Sequence, residues 1–201
     1  MNSRPMLLLF ATLAALPGVR AADACPCCAA AAAAAPALSS RSVYQLDASW
    51  TTDAGRSFQL AALRGRPVVL AMFFTSCGYA CPRIVADMTQ IQQNLPAAVR
   101  DQARFVLVSF DDQRDTVAAL QAYRAAHGLN AGWVLLRGAP GDIRELAAVL
   151  GVKYKRDAAG MFQHSNLITV LNPEGEIVHQ RAGLEGGLAE AGRAVVAADT
   201  R

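Results

Sequence analysis

Residues 68–74 form an unbroken apolar run, and a run of that length predicts a β-strand covered on both faces rather than one with a wetted side. It leads straight into Thr75-Ser76-Cys77-Gly78-Tyr79-Ala80-Cys81-Pro82. An amphipathic segment follows, with Ile84, Val85, Met88, Ile91 and Leu95 on one helical face and Pro96 at its end. Two cysteines four positions apart therefore sit where a buried strand hands over to a helix. A thiol at a helix N-terminus faces unpaired N–H groups and the positive end of the dipole, which favours the thiolate. Pro82 fits the first helical position, where its missing N–H costs nothing. Such a placement makes a pair of nucleophilic or metal-binding sulfurs.

The remaining pattern sets the fold around this turn. Residues 43–46 and 57–60 alternate and flank Asp53-Ala54-Gly55, which predicts a leading hairpin. Residues 105–110 predict a second buried strand ending at Asp111-Asp112. Asp115 is placed to cap a helix bearing Val117, Leu120 and Tyr123, stopped by Gly128. Residues 133–136 predict a third strand. Asp142 is placed to cap a helix carrying Ile143, Leu146 and Leu150, stopped by Gly151. Residues 166–171 and 176–180 flank the turn Asn172-Pro173-Glu174-Gly175, and Leu188, Ala191 and Val195 mark a last helix. Alternating strands and helices predict an α/β domain, and a two-cysteine turn after the first buried strand in this order is the thioredoxin-like arrangement. Its central sheet is mostly parallel, with an antiparallel edge hairpin and helices on both faces. Function in such sheets collects at the carboxyl ends of strands, where Cys77, Cys81 and Asp111 fall.

The N-terminus has the layout of an export signal. Arg4 precedes an apolar stretch at residues 6–16, broken by Pro17-Gly18, with small-residue cleavage sites near Ala21 and Ala24. The expected division is a signal peptide over residues 1–22, cut there or as late as 24, a cysteine-containing, alanine-rich linker over 23–40, and one domain over 41–201. Export implies an oxidising compartment, here the periplasm at the outer face of the inner membrane. A retained membrane anchor and a lipidated Cys25 are the alternatives. Cys25, Cys27 and Cys28 precede the alanine run, either as an auxiliary soft-metal trap or as an incidental oxidisable tail. Five cysteines is an odd count, so at least one thiol stays free, binds metal or pairs between chains. A net charge of +3 with no dense basic run leaves no nucleic-acid footprint.

Three residues separate Cys77 from Cys81, one more than in thioredoxin proper. That spacing allows a disulfide and also lets two thiolates converge on one ion. Two soft sulfurs favour a soft cation, above all Cu(I), while zinc would want a fourth ligand or water. His164, in Met161-Phe162-Gln163-His164-Ser165-Asn166, stands just before a predicted strand whose leading loop faces the cysteine turn in thioredoxin-like folds. Two sulfurs plus one imidazole suit either Cu(I) or Cu(II). A histidine satisfied by a local hydrogen bond is the bland alternative.

These segments resemble the Sco/SenC proteins, exported thioredoxin-like copper proteins that assist assembly of cytochrome c oxidase. The resemblance is carried by residues 74–82, by Val108-Ser109-Phe110-Asp111-Asp112-Gln113-Arg114-Asp115-Thr116, by Gly151-Val152-Lys153-Tyr154, and by His164-Ser165 leading to residues 170–175. It implies that Cys77, Cys81 and His164 bind one copper ion. It also implies that the partners are a copper acceptor, such as a cytochrome c oxidase subunit, and a thiol reductant. The chain departs from the family pattern at Gly78, where proline is usual, at Tyr79 and Ala80, where an acidic residue is frequent, and at Gln163, where Asp is common. The family is usually tethered by an N-terminal helix.

Two further chemistries fit the same residues. Cys77 and Cys81 could cycle as a thiol–disulfide oxidoreductase reducing acceptor cysteines. A peroxide-reducing site would use a thiolate with Thr75 and Arg83. Asp111 is expected in a turn or cap, with tuning of the thiols or contact with a partner as the alternative. His127 is expected at a helix end, and His179 in solvent on a hairpin strand. Met72 and Met88 are expected in the core, and Tyr79 exposed where a partner would meet it.

Overall fold

The computed structural model describes residues 37–200 apart from Ala159. The expected signal segment and Cys25, Cys27 and Cys28 lie outside the described residues. One compact unit begins at Ala37. Leu38 packs on the core and Ser39 bonds Glu176, so ordered packing starts slightly ahead of residue 41.

A seven-stranded sheet runs in the order β2-β1-β5-β4-β3-β8-β9. Its strands are β1 (Trp50–Thr52), β2 (Ser57–Phe58), β3 (Val68–Phe73), β4 (Arg104–Ser109), β5 (Trp133–Arg137), β8 (Leu167–Leu171) and β9 (Ile177–Ala182). A separate hairpin pairs β6 (Tyr154–Arg156) with β7 (Phe162–His164). The centre is parallel: β4 lies between β3 and β5, with Val69 opposite Phe105 and Val106 opposite Val134. Antiparallel hairpins finish both edges, β8–β9 on one side and β1–β2 on the other. All six residues of β3 are buried, as a strand covered on both faces must be.

The helices are α1 (Ala80–Asn94), α2 (Ala97–Gln102), α3 (Val117–Ala126), α4 (Pro140–Leu150) and α5 (Leu188–Asp199). On one face Phe73 meets Tyr123 of α3, and the indole of Trp133 donates to Gln92 of α1 at 3.0 Å. On that face too Arg181 of β9 reaches Asp87 of α1 at 2.7 Å, and α5 packs along α1. On the other, Gln180 links Thr169 to the carbonyl of Leu150 at the end of α4. Among the described residues no helix is long and apolar enough to cross a membrane.

Several local expectations are corrected. The leading hairpin exists around Gly55, but its first arm is Trp50–Thr52. Val43–Gln45 is instead a 3₁₀ turn capped by the Ser42 hydroxyl, because Val43 and Tyr44 are both buried and a strand would point one of them away. That turn docks on Gly175, where φ is +81° and a Cβ would lie 2.5 Å from the Tyr44 ring, so only glycine fits. Pro82 is the third helical residue of α1, still within the turn that lacks amide partners. Thr116, not Asp115, caps α3 through the amide of Ala119. Asp142 lies inside the first turn of α4, which begins at Pro140. The β6–β7 hairpin replaces the loop expected around His164.

Candidate metal centre

Cys77 and Cys81 come from the β3–α1 connection. The turn leaves β3 with the Cys77 amide donating to the carbonyl of Phe74. The helix then starts so that the Cys81 amide donates to Cys77 Sγ at 3.3 Å. The first cysteine sulfur thus takes the role of a capping acceptor, where the dipole and unpaired amides favour negative charge. Burial opposes ionisation of Cys77, but the amides of Cys81, Tyr79 and Ala80 outweigh it and hold its pKa below the ordinary thiol value. Cys81 is fully buried, and burial pushes its pKa well up, despite a hydrogen bond with the backbone of Phe74. One thiol is therefore accessible and easily ionised, while the other is sheltered and protonated. Neither is in a disulfide.

His164 arrives from the opposite direction. Alternation along β6 and β7 turns Tyr154, Arg156, Phe162 and His164 inward and Lys155 and Gln163 outward. The inward side chains pack on Phe74 and Phe110. The His164 ring lies 5.9 Å from Phe74 and 5.1 Å from Phe110, and Phe110 stacks on Tyr154 at 5.1 Å. Nδ1 lies 3.2 Å from the Ser165 carbonyl, which can only accept, so the proton resides on Nδ1. Nε2, 3.8 Å from Cys81 Sγ, then presents a lone pair to the sulfurs. Burial lowers the pKa of the ring, partly offset by the Ser165 carbonyl, so it is neutral near pH 7.

The ligand atoms of Cys77, Cys81 and His164 all lie within 4.8 Å of one another, so the three residues could hold a metal ion. An ion at the centre of a triangle of that size lies at most about 2.8 Å from each corner. Small side-chain rotations close that to bonding distances of roughly 2.0–2.3 Å. The Nδ1 contact to Ser165 is the outer-shell support that ligating histidines commonly have. The structure thus brings together the three residues singled out by sequence.

The other candidates fall elsewhere. Thr75 donates its hydroxyl to Asp115 and Arg83 pairs with Asp87 at 3.3 Å, so the parts of a peroxide site are committed to other partners. Asp111 is buried, accepts the Arg114 amide in a turn, and pairs with Arg114 and Arg156. His127 ends α3 against the Tyr123 ring, 4.1 Å away. His179 lies on β9 as expected and is half-exposed, with its Nε2 shielded from solvent. Met72 and Met88 are core residues, and Tyr79 is 82 % exposed beside the cysteines. A groove of about 800 Å³ between α1 and α5 is lined by no cysteine or histidine. Sequence reasoning missed the aromatic wall of Phe74, Phe110, Tyr154 and Phe162. Its sequence signal is the period-two spacing of Tyr154 and Arg156, and of Phe162 and His164, about a turn at Gly160, carried by strands of only three residues each.

Residues 39–192 match the family model for SCO1/SenC. The chain belongs to the SCO1/SenC family. A Stutzerimonas stutzeri protein named for copper binding is 29% identical over 150 residues, 72% of each chain. The SCO1 protein homolog of Bacillus subtilis is 26% identical over 135 residues, 65% of this chain and 69% of the relative. The copper-bound structure of Bradyrhizobium japonicum ScoI superposes with a TM-score of 0.64 at 21% identity, over 75% of this chain and 96% of that one. At that identity the match shows the shared fold. In this SCO1/SenC member the thioredoxin-like sheet places the cysteine turn and the histidine hairpin face to face.

Proposed function

We propose that this protein is an exported copper-delivery protein. Cys77, Cys81 and His164 take one copper ion as cargo and pass it by ligand exchange to an acceptor, the copper site of a cytochrome c oxidase subunit. The observation that carries this reading is the convergence of two sulfurs and one unprotonated imidazole nitrogen within 4.8 Å. Copper binding would displace the Cys81 proton to solvent; the two thiolates then select the soft ion, and imidazole keeps the oxidised ion bound as well. A half-exposed Cys77 gives an incoming acceptor ligand a sulfur to displace, and Tyr79 offers an exposed aromatic contact beside it. The family membership supports the assignment, and the apolar N-terminal stretch supports export to the periplasm.

Anaerobic Cu(I) titration with a competing chelator tests it. One copper per chain is expected, with binding lost in Cys77→Ala and weakened in His164→Ala. Binding indifferent to both substitutions refutes the proposal.

One observation favours a second activity at the same residues. An accessible, easily ionised Cys77 beside a sheltered, protonated Cys81 is the nucleophile-and-partner asymmetry of a dithiol reductant. Reduction of an acceptor disulfide would oxidise the pair to Cys77–Cys81 and return two protons and two electrons to the acceptor thiols. Reductase turnover retained in His164→Ala and absent in Cys77→Ala separates this activity from copper delivery.

A further inference from the structure

The metal ligands belong to segments far apart in the chain, with Cys81 and His164 separated by 83 positions. The connection between β4 and α3, residues 110–116, lies between them and carries two carboxylates with no exposed surface, Asp111 and Asp115. Each serves a different half of the site. Asp115 holds the cysteine side, accepting from the Thr75 amide and from the hydroxyls of Thr75 and Ser109. Asp111 holds the histidine side. Arg156 of β6 donates Nη2 to Asp111 Oδ1 at 2.8 Å and Nη1 to Gln113 at 2.5 Å. Arg114 donates Nε to the other Asp111 oxygen and Nη2 to the carbonyl of Gly160 in the hairpin turn at 2.6 Å. The Arg156 guanidinium also lies 4.9 Å from the centroid of Phe162, which packs on both phenylalanines flanking His164.

This arrangement does what apolar packing alone does not. Ring contacts tolerate sliding, whereas a planar guanidinium bonded to a buried carboxylate fixes direction and register. Opening the hairpin withdraws Arg156 from a carboxylate with no exposed surface, so the contact resists opening. We propose that Asp111, Arg156 and Arg114 form a latch that positions His164. Closed, it keeps the imidazole within reach of both sulfurs. Open, it lets the hairpin carry His164 away and leaves a two-sulfur site. The three are positioning residues, acting through the hairpin rather than touching the ion. The copper readout of this proposal rests on the delivery reading; its metal-free readout does not.

The test compares wild type with Arg156→Gln, Arg114→Gln and the conservative Arg156→Lys. Arg156→Gln is the primary variant because Arg114 still neutralises Asp111 and the domain keeps its fold, which α1 amide protection reports. In the metal-free protein, hydrogen exchange across residues 154–164 should accelerate about tenfold in Arg156→Gln with α1 unchanged, and less in Arg156→Lys. In the Cu(II) form, the imidazole nitrogen coupling seen by electron paramagnetic resonance should fall toward that of His164→Ala. Unchanged hairpin exchange overturns the latch, and so does faster exchange with an undiminished nitrogen coupling. Wild type that takes up no copper overturns the delivery reading instead, and the exchange arm still decides the latch.

Discussion

Replacing Asp115 with alanine should cost the domain about 3–6 kcal/mol, several times what a helix cap contributes. The carboxylate is fully buried and accepts from the Thr75 amide at 3.0 Å and from the Thr75 and Ser109 hydroxyls at 2.5 Å each. Hydrogen bonds to a charged group contribute roughly 1.5–3 kcal/mol apiece. The hydroxyls can rotate toward other acceptors and recover part of that, but the Thr75 amide cannot. The loss is therefore set well below the simple sum. For a domain of this size it corresponds to a fall in melting temperature of about 8–20 °C. Thr116→Ala supplies the internal comparison. Thr116 is the residue that caps α3, and its loss should cost about 1 kcal/mol. Urea denaturation of the reduced, metal-free protein, followed by circular dichroism, measures both. Asp115→Asn, which keeps one acceptor oxygen, should fall between them. If Asp115→Ala costs no more than Thr116→Ala, the carboxylate is not what holds the cysteine turn, and the reasoning fails.

Other consequences concern titration and buried charge. Cys81 keeps its proton in the folded state, whereas the unfolded chain gives it up above about pH 8.5. Stability should thus be full below that pH and decline above it; urea midpoints from about pH 7 to 10 should flatten in Cys81→Ala, and an unchanged slope counts against the argument. His164 has the opposite sign: its folded pKa is depressed, so its contribution is present above about pH 6.5 and is lost as the pH falls. His164→Ala should therefore lose less stability than wild type between about pH 6.5 and 4.5, and parallel curves would contradict this. Arg181→Met should cost about 3 kcal/mol in chemical denaturation, because it strips the buried partner from Asp87 and leaves only the exposed Arg83. Replacing Asp87 with leucine in the same chain should recover most of that loss.

The order and type of the central elements were legible in the sequence because each was dictated by local pattern. An uninterrupted apolar run can be buried on both faces only in a sheet interior, and the stripe from Ile84 to Leu95 can be buried only as a helix. The turn at Asn172-Pro173-Glu174-Gly175 requires the positive φ observed at Gly175. The cysteine pair was legible for the same reason, since a strand end and a helix start lie within a few residues of each other. Capping was not, because Asp115 and Thr116 are both good caps, and only the tertiary position of Thr75 and Ser109 draws Asp115 inward. The hairpin bearing His164 was missed because its strands are three residues long and half-buried, too short for periodicity to speak loudly. That a histidine belonged near the sulfurs could be expected from its order in the chain. How near, by which nitrogen and held by what were decided by tertiary structure alone. The distance is set by the approach of Nε2 to Cys81, 83 positions away, and the hairpin is tied back by Arg156 to Asp111, 45 positions away; such pairings leave no trace in any local window of residues.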